Sequence, residues 1–507
     1  MSDAPVRAGD NELDIAGRVV DLVTRLAGPA AQAEVTVTRA ESALTRFANS
    51  AIHQNVAASS VDVRLRVHLA GRTAAGSGTA VTADGLRALV ERALTAARFT
   101  PPDPAWPGLA PAAPVAPSPE WDLATAHAGP DQRAALVRAF VDAAGGLATA
   151  GYCRTGYRVA AFANSAGHSA QGRAAEAAMD GIARADGADG TARQHVDRVV
   201  DLDGAGLGRR AAAKARAAAH PAELPPGRYP VVLEPAAVAD LLENLAWYGF
   251  NGRRYAERQS FAVPGAAQFD RAVTLVDDPL AASGLPFDLE GTPSRALTLV
   301  DAGTTSAVVH DRRSAAELGV TSTGHAWAGS ATFGPIPRNL RLAPAGTVGA
   351  VGTVGTVGAA GPTAAFSAGD QGVAGAGPTA TGGAGAPDGN GSATGGAIGD
   401  PDTAALVSRM ERGLLVSDLW YTRVLDPLSL VVTGLTRNGL WLVEDGRVTR
   451  AVRDLRFTES YPRALAPGAV LELGRRAVRL PDRADGGWWE APSLRLASWN
   501  FTGGASG

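Results

Sequence analysis

The segment from Val231 to Gly252 places a strand directly before a helix, and this pairing is the strongest constraint on the fold. A short apolar run, VVL, leads to Pro235, a residue that suits the first turn of a helix. Gly249 and Gly252 end the helical pattern, and the segment contains no histidine. The apolar residues between them recur at helical spacing: Val238, Leu241, Leu242 and Leu245.

Composition limits the class of protein. At 507 residues the chain is long enough for two domains, and 46% hydrophobic with 19% charged residues is typical of a globular protein. A net charge of -3 argues against a nucleic-acid or anionic-membrane partner. The single cysteine, Cys153, excludes an internal disulfide and a cysteine-rich metal cluster. Neither a signal peptide nor a membrane-spanning run is predicted, so we expect a cytoplasmic protein.

The first 220 residues alternate helix and strand patterns. Val61–Leu69 alternates apolar and polar residues, which indicates a sheet with one buried face. The proline-rich stretch 101–119 is predicted to lack regular structure. Residues 1–220 are therefore predicted to form an α+β domain. Its other predicted elements are helices at 12–27, Thr82 or Asp84 to Ala97, Gln132–Ala144 and Leu207–Ala219, and strands at Glu34–Thr38, Ala43–Asn49 and Tyr152–Asn164.

The second half is mostly strand and turn. Pro221–Arg228, with three prolines and a glycine, is predicted as the domain boundary. Asp445-Gly446 between two apolar runs predicts a two-residue hairpin. Residues 221–507 are therefore expected to form an antiparallel β-rich domain, which makes the fold two-domain α+β. Its predicted strands are Leu297–Val300, Leu428–Thr433, Leu440–Val443, Val452–Thr458, Val470–Leu473 and Leu494–Ser498.

Residues 344–400 form a low-complexity insertion of Gly, Ala, Thr and Val within the second domain. The segment has no basic residue and one aromatic residue, Phe366. It has too little apolar surface to offset the chain entropy lost on ordering, so we predict disorder. The alternative is an ordered repeat built on its valine triplets.

The strand–helix–glycine segment resembles the TldD/PmbA family of metallopeptidases. The corresponding helix of that family reads LLHEAVGHG, an H-E-x-x-x-H variant of the zinc-peptidase signature. In this chain Glu243 replaces the first histidine, Asn244 the glutamate and Tyr248 the second histidine. Zinc peptidases need imidazole ligands and a carboxylate beside the bound water, so the resemblance points to the PmbA (TldE) branch without the metal. No catalytic residue and no metal ligand is predicted in this chain.

Further segments resemble the same family in the same order. The resemblance covers nearly the whole chain apart from the insertion and the proline-rich stretch. No one of them is specific alone, but their shared order makes a chance match improbable. These segments are Leu44–Val56, Leu285–Gly303, His310–Ala326, Arg412–Trp420 and Val432–Val448.

Several polar residues are candidates for function, each with a structural alternative. Ser322, Thr323 and Gly324, followed by His325, form a polar loop that could approach a substrate backbone in a cleft, or be an ordinary turn. His310 lies 15 residues before His325, which is not a ligand spacing, and both are interpreted as surface or hydrogen-bonding histidines.

Six more residues complete the candidates. Glu243 could act as a general base, although a structural or interfacial role is favoured. Trp247 and Tyr248 are interpreted as core or interface aromatics, and Cys153 as a small buried apolar residue. The pair Trp488-Trp489 indicates either an interface or packing against the sheet.

The resemblance implies a non-zinc-binding subunit of a cytosolic TldD/PmbA-type protease. A TldD-like, zinc-bearing homologous subunit would be its partner, and peptides or unfolded protein segments its substrate. No cofactor is expected in this chain; zinc is expected on the partner. Two alternatives stay open: a hydrolase active alone through unidentified residues, and a peptide-binding protein without a proteolytic role. Whether the chain is itself an enzyme is left undecided by the sequence.

Overall fold

The structure is a computed structural model that describes residues 11–118, 121–281, 284–346, 398–481 and 487–504. Most of the predicted insertion, residues 347–397, lies outside this part of the chain. The fold is α+β, as predicted, with long strands in the first half and many short ones in the second. Within the described residues no helix is long and apolar enough to cross a membrane.

The N-terminal sheet has six antiparallel strands in the order β3-β2-β1-β4-β5-β6. Asn11 and Asp14 close a capping box at the start of the first helix, and Thr82 caps the second. The strands are β1 Gln32–Ala48, β2 Ala51–Leu69, β3 Arg72–Gly78, β4 Ala148–Asn164, β5 Ser169–Ala185 and β6 Ala188–Val196. The helices are α1 Glu12–Ala27, α2 Ala83–Phe99, α3 Leu123–Ala126, α4 Pro130–Ala143 and α5 Gly204–Ala217.

Helices cover one face of this sheet. Odd-numbered residues of β1, such as Val35 and Val37, share a core with α1 and α2. Farther along the same face, Phe47 and Cys153 share a second core with α4 and α5. Cys153 is fully buried, as predicted. Because side chains alternate along a strand, the even-numbered residues of β1 and β4 point to the opposite face.

The second half is built on two sheets with a helix between them. Strands in the order β12-β7-β19-β15-β13 close into a ring, because β12 pairs with both β7 and β13. The other sheet has the order β10-β9-β8-β11-β18-β17. Helix α6 packs against β12 of the ring and β18 of the second sheet. The strands are β7 Gly227–Leu233, β8 Leu275–Asp277, β9 Leu297–Asp301, β10 Thr304–Thr305, β11 Asn339–Leu342, β12 Arg412–Asp426, β13 Val431–Glu444, β14 Arg447–Ala451, β15 Leu455–Ser460, β16 Val470–Leu473, β17 Val478–Pro481, β18 Trp488–Ala491 and β19 Leu494–Gly504.

Six short helices accompany these strands. Gly319 ends one of them in the left-handed conformation, with φ of 67°. They are α6 Pro235–Asn244, α7 Gly252–Ala256, α8 Arg312–Leu318, α9 Ser330–Phe333, α10 Pro401–Val407 and α11 Tyr461–Ala464.

Local signals in the sequence match the structure closely. The hairpin between β13 and β14 has Asp445 at φ 48° and Gly446 at φ 74°, and the tightest hairpin turn requires positive φ at both residues. Trp488 and Trp489 are 2% and 3% exposed, so of the two interpretations the structure has them packed in the fold. The predicted boundary at residue 220 stays a prediction; β7 begins at Gly227.

Four expectations need correction. The two strands predicted at Glu34–Thr38 and Ala43–Asn49 are one strand, β1. The two strands predicted at Leu428–Thr433 and Leu440–Val443 likewise belong to one strand, β13, which begins at Val431. Strands β5 and β6 were not predicted. The Ala-rich sequence of β5 has little intrinsic strand preference, and β5 forms beside β4 while β6 forms beside β5. The second half is not wholly antiparallel, since β12 pairs with β7 and β11 with β18 in parallel.

Candidate functional site

Helix α6 is distorted at its C-terminal end, between the two positions where the resembling family has histidines. Pro235 occupies the first turn, and regular helix continues to Asn244. A wider turn of π type then spans Leu245–Gly249, with the Phe250 N–H donating to the Leu245 carbonyl at 2.9 Å. In a regular helix residues five apart lie about 140° apart around the axis. A π turn rotates less per residue, so it brings positions 243 and 248 nearer to one face.

Asn244 belongs to a buried polar cluster centred on Asp240. The Asn244 amide donates to the Asp240 carbonyl at 2.9 Å. The Asp240 carboxylate accepts from the Tyr461 hydroxyl and the Thr422 hydroxyl, each at 2.9 Å. Burial, with the nearby carboxylates of Asp240 and Glu243, raises the pKa of Tyr461 well above its usual value. Asn244 therefore has a structural role, because its side-chain amide is hydrogen-bonded to Asp240.

Glu243 and Tyr248 are half-buried. Glu243 lies close enough to Tyr461 to influence its titration. The Arg254 guanidinium lies 4.6 Å from the centre of the Tyr248 ring, and Trp247 packs edge-on against the Trp327 ring at 5.4 Å. In the part of the chain that the structure describes, no group of three or more His, Cys, Asp or Glu side chains is arranged to hold a metal. The roles of these three replaced positions, and the expected lack of zinc, stay predictions.

The predicted polar loop is buried and brings the two histidines together. The Thr323 hydroxyl donates to the His310 carbonyl at 3.1 Å and lies 2.9 Å from His325 Nδ1. His325 Nε2 lies 3.0 Å from the Asp277 carboxylate. Burial and the nearby His325 lower the pKa of His310 to about 4, so His310 is neutral at physiological pH. Both histidines are hydrogen-bonded inside the protein, not on its surface.

The other two loop residues have distinct roles. The Ser322 hydroxyl donates to the His310 carbonyl at 3.1 Å, and this hydrogen bond holds the loop against the segment at His310. Gly324 has φ of 76°, and a side chain there would approach the Pro293 carbonyl oxygen to 2.6 Å. Gly324 and His325 line a cavity of about 210 Å³ together with Thr36 and Thr38 of β1. Of the four predicted loop residues, these two reach the space between the N-terminal sheet and the second half.

An ion cluster that sequence reasoning missed joins the two halves beside this cavity. Arg66 of β2 pairs with Glu34 of β1 and, at 2.8 Å, with Glu290. Glu290 also accepts from the Arg312 backbone N–H at 2.8 Å. Burial raises the pKa of Glu34 to about 7, with Arg66 opposing the shift. A charged residue in the apolar start of β1, Glu34, was the available signal, but Glu290 of the same cluster lies over 200 residues away along the chain.

Two cavities lie on the uncovered face of the N-terminal sheet, and together they are called the cleft. Its narrow end is the cavity at Thr36 and Thr38, and its wide end is a cavity of about 600 Å³ that reaches Arg46. Ala40 of β1 and Gly156 of β4, which lie between the two cavities along the strands, are half-exposed. The second half forms the opposite wall. None of the three replaced positions on α6 lines either cavity.

Comparison with known proteins identifies the family. A sequence model of the PmbA/TldA metallopeptidase C-terminal domain matches residues 226–350 and 368–503, and a model of PmbA/TldA metallopeptidase domain 1 matches residues 33–97. This chain belongs to the TldD/PmbA family. No curated protein sequence matches it.

Solved structures share the fold of this TldD/PmbA family member. TldE from Thermococcus kodakarensis matches with a TM-score of 0.76 at 16% identity, over 96% of this chain and 100% of the other. A candidate modulator of DNA gyrase from Thermotoga maritima matches with a TM-score of 0.70 at 16% identity, over 96% and 100%. A second such candidate, from Bacteroides thetaiotaomicron, has a TM-score of 0.72 at 16% identity, over 96% and 98%.

Proposed function

We propose that this chain is the non-zinc-binding, PmbA/TldE-like subunit of a cytosolic, heteromeric TldD/PmbA-type protease. In this proposal a TldD-like homologous subunit carries the zinc and cleaves peptides or unfolded segments. The observation that carries the proposal is the replacement of the motif by Glu243, Asn244 and Tyr248 within the family's own strand–helix unit. A buried amide and a phenol do not provide the imidazole ligands and water-activating carboxylate that such zinc sites use.

The cleft gives this subunit a way to hold substrate. Its floor is a long, half-exposed strand pair, β1 and β4, lined on one side by small and polar side chains. An extended peptide of about ten residues spans roughly 33 Å, similar to the length of β1 between Thr36 and Arg46. The cleft therefore suits an unfolded segment better than a folded domain.

Reconstitution with a TldD-like subunit tests this proposal. The chain alone, the zinc-bearing subunit alone and the mixture would be compared by size-exclusion chromatography, elemental analysis and cleavage of an unfolded peptide. We expect a stable complex, zinc only on the partner, and activity that requires the partner. About one zinc per chain, or cleavage by this chain alone, would indicate an independent hydrolase. Failure to associate would favour a peptide-binding protein without a proteolytic role.

A further inference from the structure

The wide end of the cleft carries a row of polar side chains across the N-terminal sheet. Arg46 of β1 is the strand partner of Tyr152 of β4, which pairs with Asp180 of β5, which pairs with Arg193 of β6. Directly opposed residues on neighbouring strands lie about 5 Å apart at Cβ, so the four side chains form a continuous band. All four line the cavity of about 600 Å³.

Most charges in this cavity are matched within the protein. Arg193 forms a buried ion pair with Asp418 of β12. Arg154 of β4 pairs with Glu176 at 3.0 Å. Asp189 pairs with Arg184 at 2.6 Å. In each of these ion pairs the positive and negative charges cancel, so the pairs add no net charge to the cavity.

Two arginines that line the cavity, Arg46 and Arg437, have no ion pair with a carboxylate among the described residues. Asp454 lies near enough to Arg437 to interact through space. Both side chains are exposed, Arg46 on the floor and Arg437 on the opposite wall. The carboxylate of Asp180 also lines the floor, so an anion that enters the cavity meets a cation on each wall and this carboxylate on the floor.

The opposite wall also offers an aromatic surface. The Arg437 guanidinium lies 4.4 Å from the centre of the Trp420 ring. Trp420 is 41% exposed and lines the cavity, so a ligand in the cavity can reach its side chain. Stacking holds the guanidinium in place, which lowers the entropy lost when Arg437 binds a carboxylate.

We propose that the wide end of the cleft binds a carboxylate of an extended peptide between Arg46 and Arg437, with the adjoining apolar portion against Trp420. The subunit would then favour substrates with acidic side chains over neutral ones. This inference rests on the proposed substrate-holding role of the cleft. The carboxylate could be an Asp or Glu side chain or the peptide's C-terminus, and the test separates these sources.

Peptide binding to the full chain provides the test. Fluorescently labelled, unstructured Gly/Ser/Ala peptides of about twelve residues, roughly 40 Å when extended, would be compared by fluorescence anisotropy. One carries two glutamates and an amidated C-terminus, a second carries glutamines instead, and a third is neutral with a free C-terminal carboxylate. The Arg46→Gln/Arg437→Gln double variant removes both cations. Arg98→Gln is the matched control, because Arg98 is exposed on α2 over the other face of the sheet.

We expect the glutamate peptide to bind about tenfold tighter than the glutamine peptide at low salt, as for charge-assisted hydrogen bonds to a partly desolvated site. The preference should shrink at about 0.5 M salt through screening. It should fall below about twofold in the double variant and persist in Arg98→Gln. An Arg46→Lys/Arg437→Lys variant keeps the charges and should retain part of the preference. Tighter binding of the third peptide would assign the site to a C-terminal carboxylate.

The outcomes separate the two proposals. Equal affinity for the glutamate and glutamine peptides, or an undiminished preference in the double variant, overturns the carboxylate site while leaving the substrate-holding role in place. Absence of binding by every peptide overturns both.

Discussion

Replacing Glu34 by glutamine should stabilise the protein at alkaline pH and have little effect at acidic pH. Glu34 is 4% exposed, and one of its carboxylate oxygens lacks a hydrogen-bond partner among the described residues. Because burial raises its pKa from 4.5 to about 7, its contribution to the free energy of unfolding is fully present below pH 4.5. That contribution is lost as the pH rises to about 7.

The size of the stability gain follows from the difference between the unfolded and folded pKa values of Glu34. At about 1.4 kcal/mol per pH unit, the rise from 4.5 to about 7 removes about 3 kcal/mol of stability. Glutamine has the shape of the protonated carboxyl group and keeps an oxygen that can accept from Arg66. Glu34→Gln should therefore differ from the parent by less than about 1 kcal/mol near pH 5 and exceed its free energy of unfolding near pH 8 by up to about 3 kcal/mol.

Thermal and chemical denaturation of the full chain at several pH values between about 5 and 8 measures this difference. Comparing variant with parent at each pH cancels the other titrating groups, including Asp288, whose pKa burial also raises, and His310. Glu91→Gln is the control, since Glu91 is exposed on α2 and pairs with Arg87. A variant that is destabilised at every pH, or whose advantage does not grow with pH, would refute the argument from burial.

Four further predictions concern the replaced motif and the insertion. Elemental analysis of metal-replete protein should find well under one zinc per chain. Restoring the motif with Glu243→His, Asn244→Glu and Tyr248→His should not create a peptidase in a cleavage assay, because the remaining ligand and the supporting hydrogen bonds are missing. Glu243→Ala should leave turnover by the assembled complex within a few-fold, whereas a hundredfold loss would mark an acid–base group. Replacing residues 347–397 by a short Gly/Ser linker should shift Tm by less than about 5 °C, since loop closure costs little more as a loop lengthens.

The sequence predicted elements where local signals agree with the final packing. The capped, amphipathic helix at Glu12–Ala27 and the strand at Val470–Leu473 have the predicted bounds. The hairpin turn at Asp445-Gly446 follows from the preference of these residues for positive φ. The strand and helix around Pro235 were sufficient to indicate the family, which the matching sequence models then established.

The sequence was least informative about the candidate site. Ser322, Thr323, Gly324 and His325 were predicted at a cleft, but only Gly324 and His325 reach a cavity. The others hold His310 inside the protein through hydrogen bonds across a dozen residues. Local periodicity does not reveal such partners, because they depend on where the chain returns.

The sequence by itself determined the family and the α+β class, since these depend on residue identity and local spacing. The loss of the metal-binding residue types stays a prediction. Tertiary structure decided the rest. Ala-rich β5 becomes a strand only beside β4, and Arg46 and Arg437 line one cavity only because the second half packs over the sheet. The charge and burial of Glu34 depend on Arg66 and Glu290 in the same way. Electrostatic interactions and burial depend on distance in space, which the order of residues along the chain does not specify.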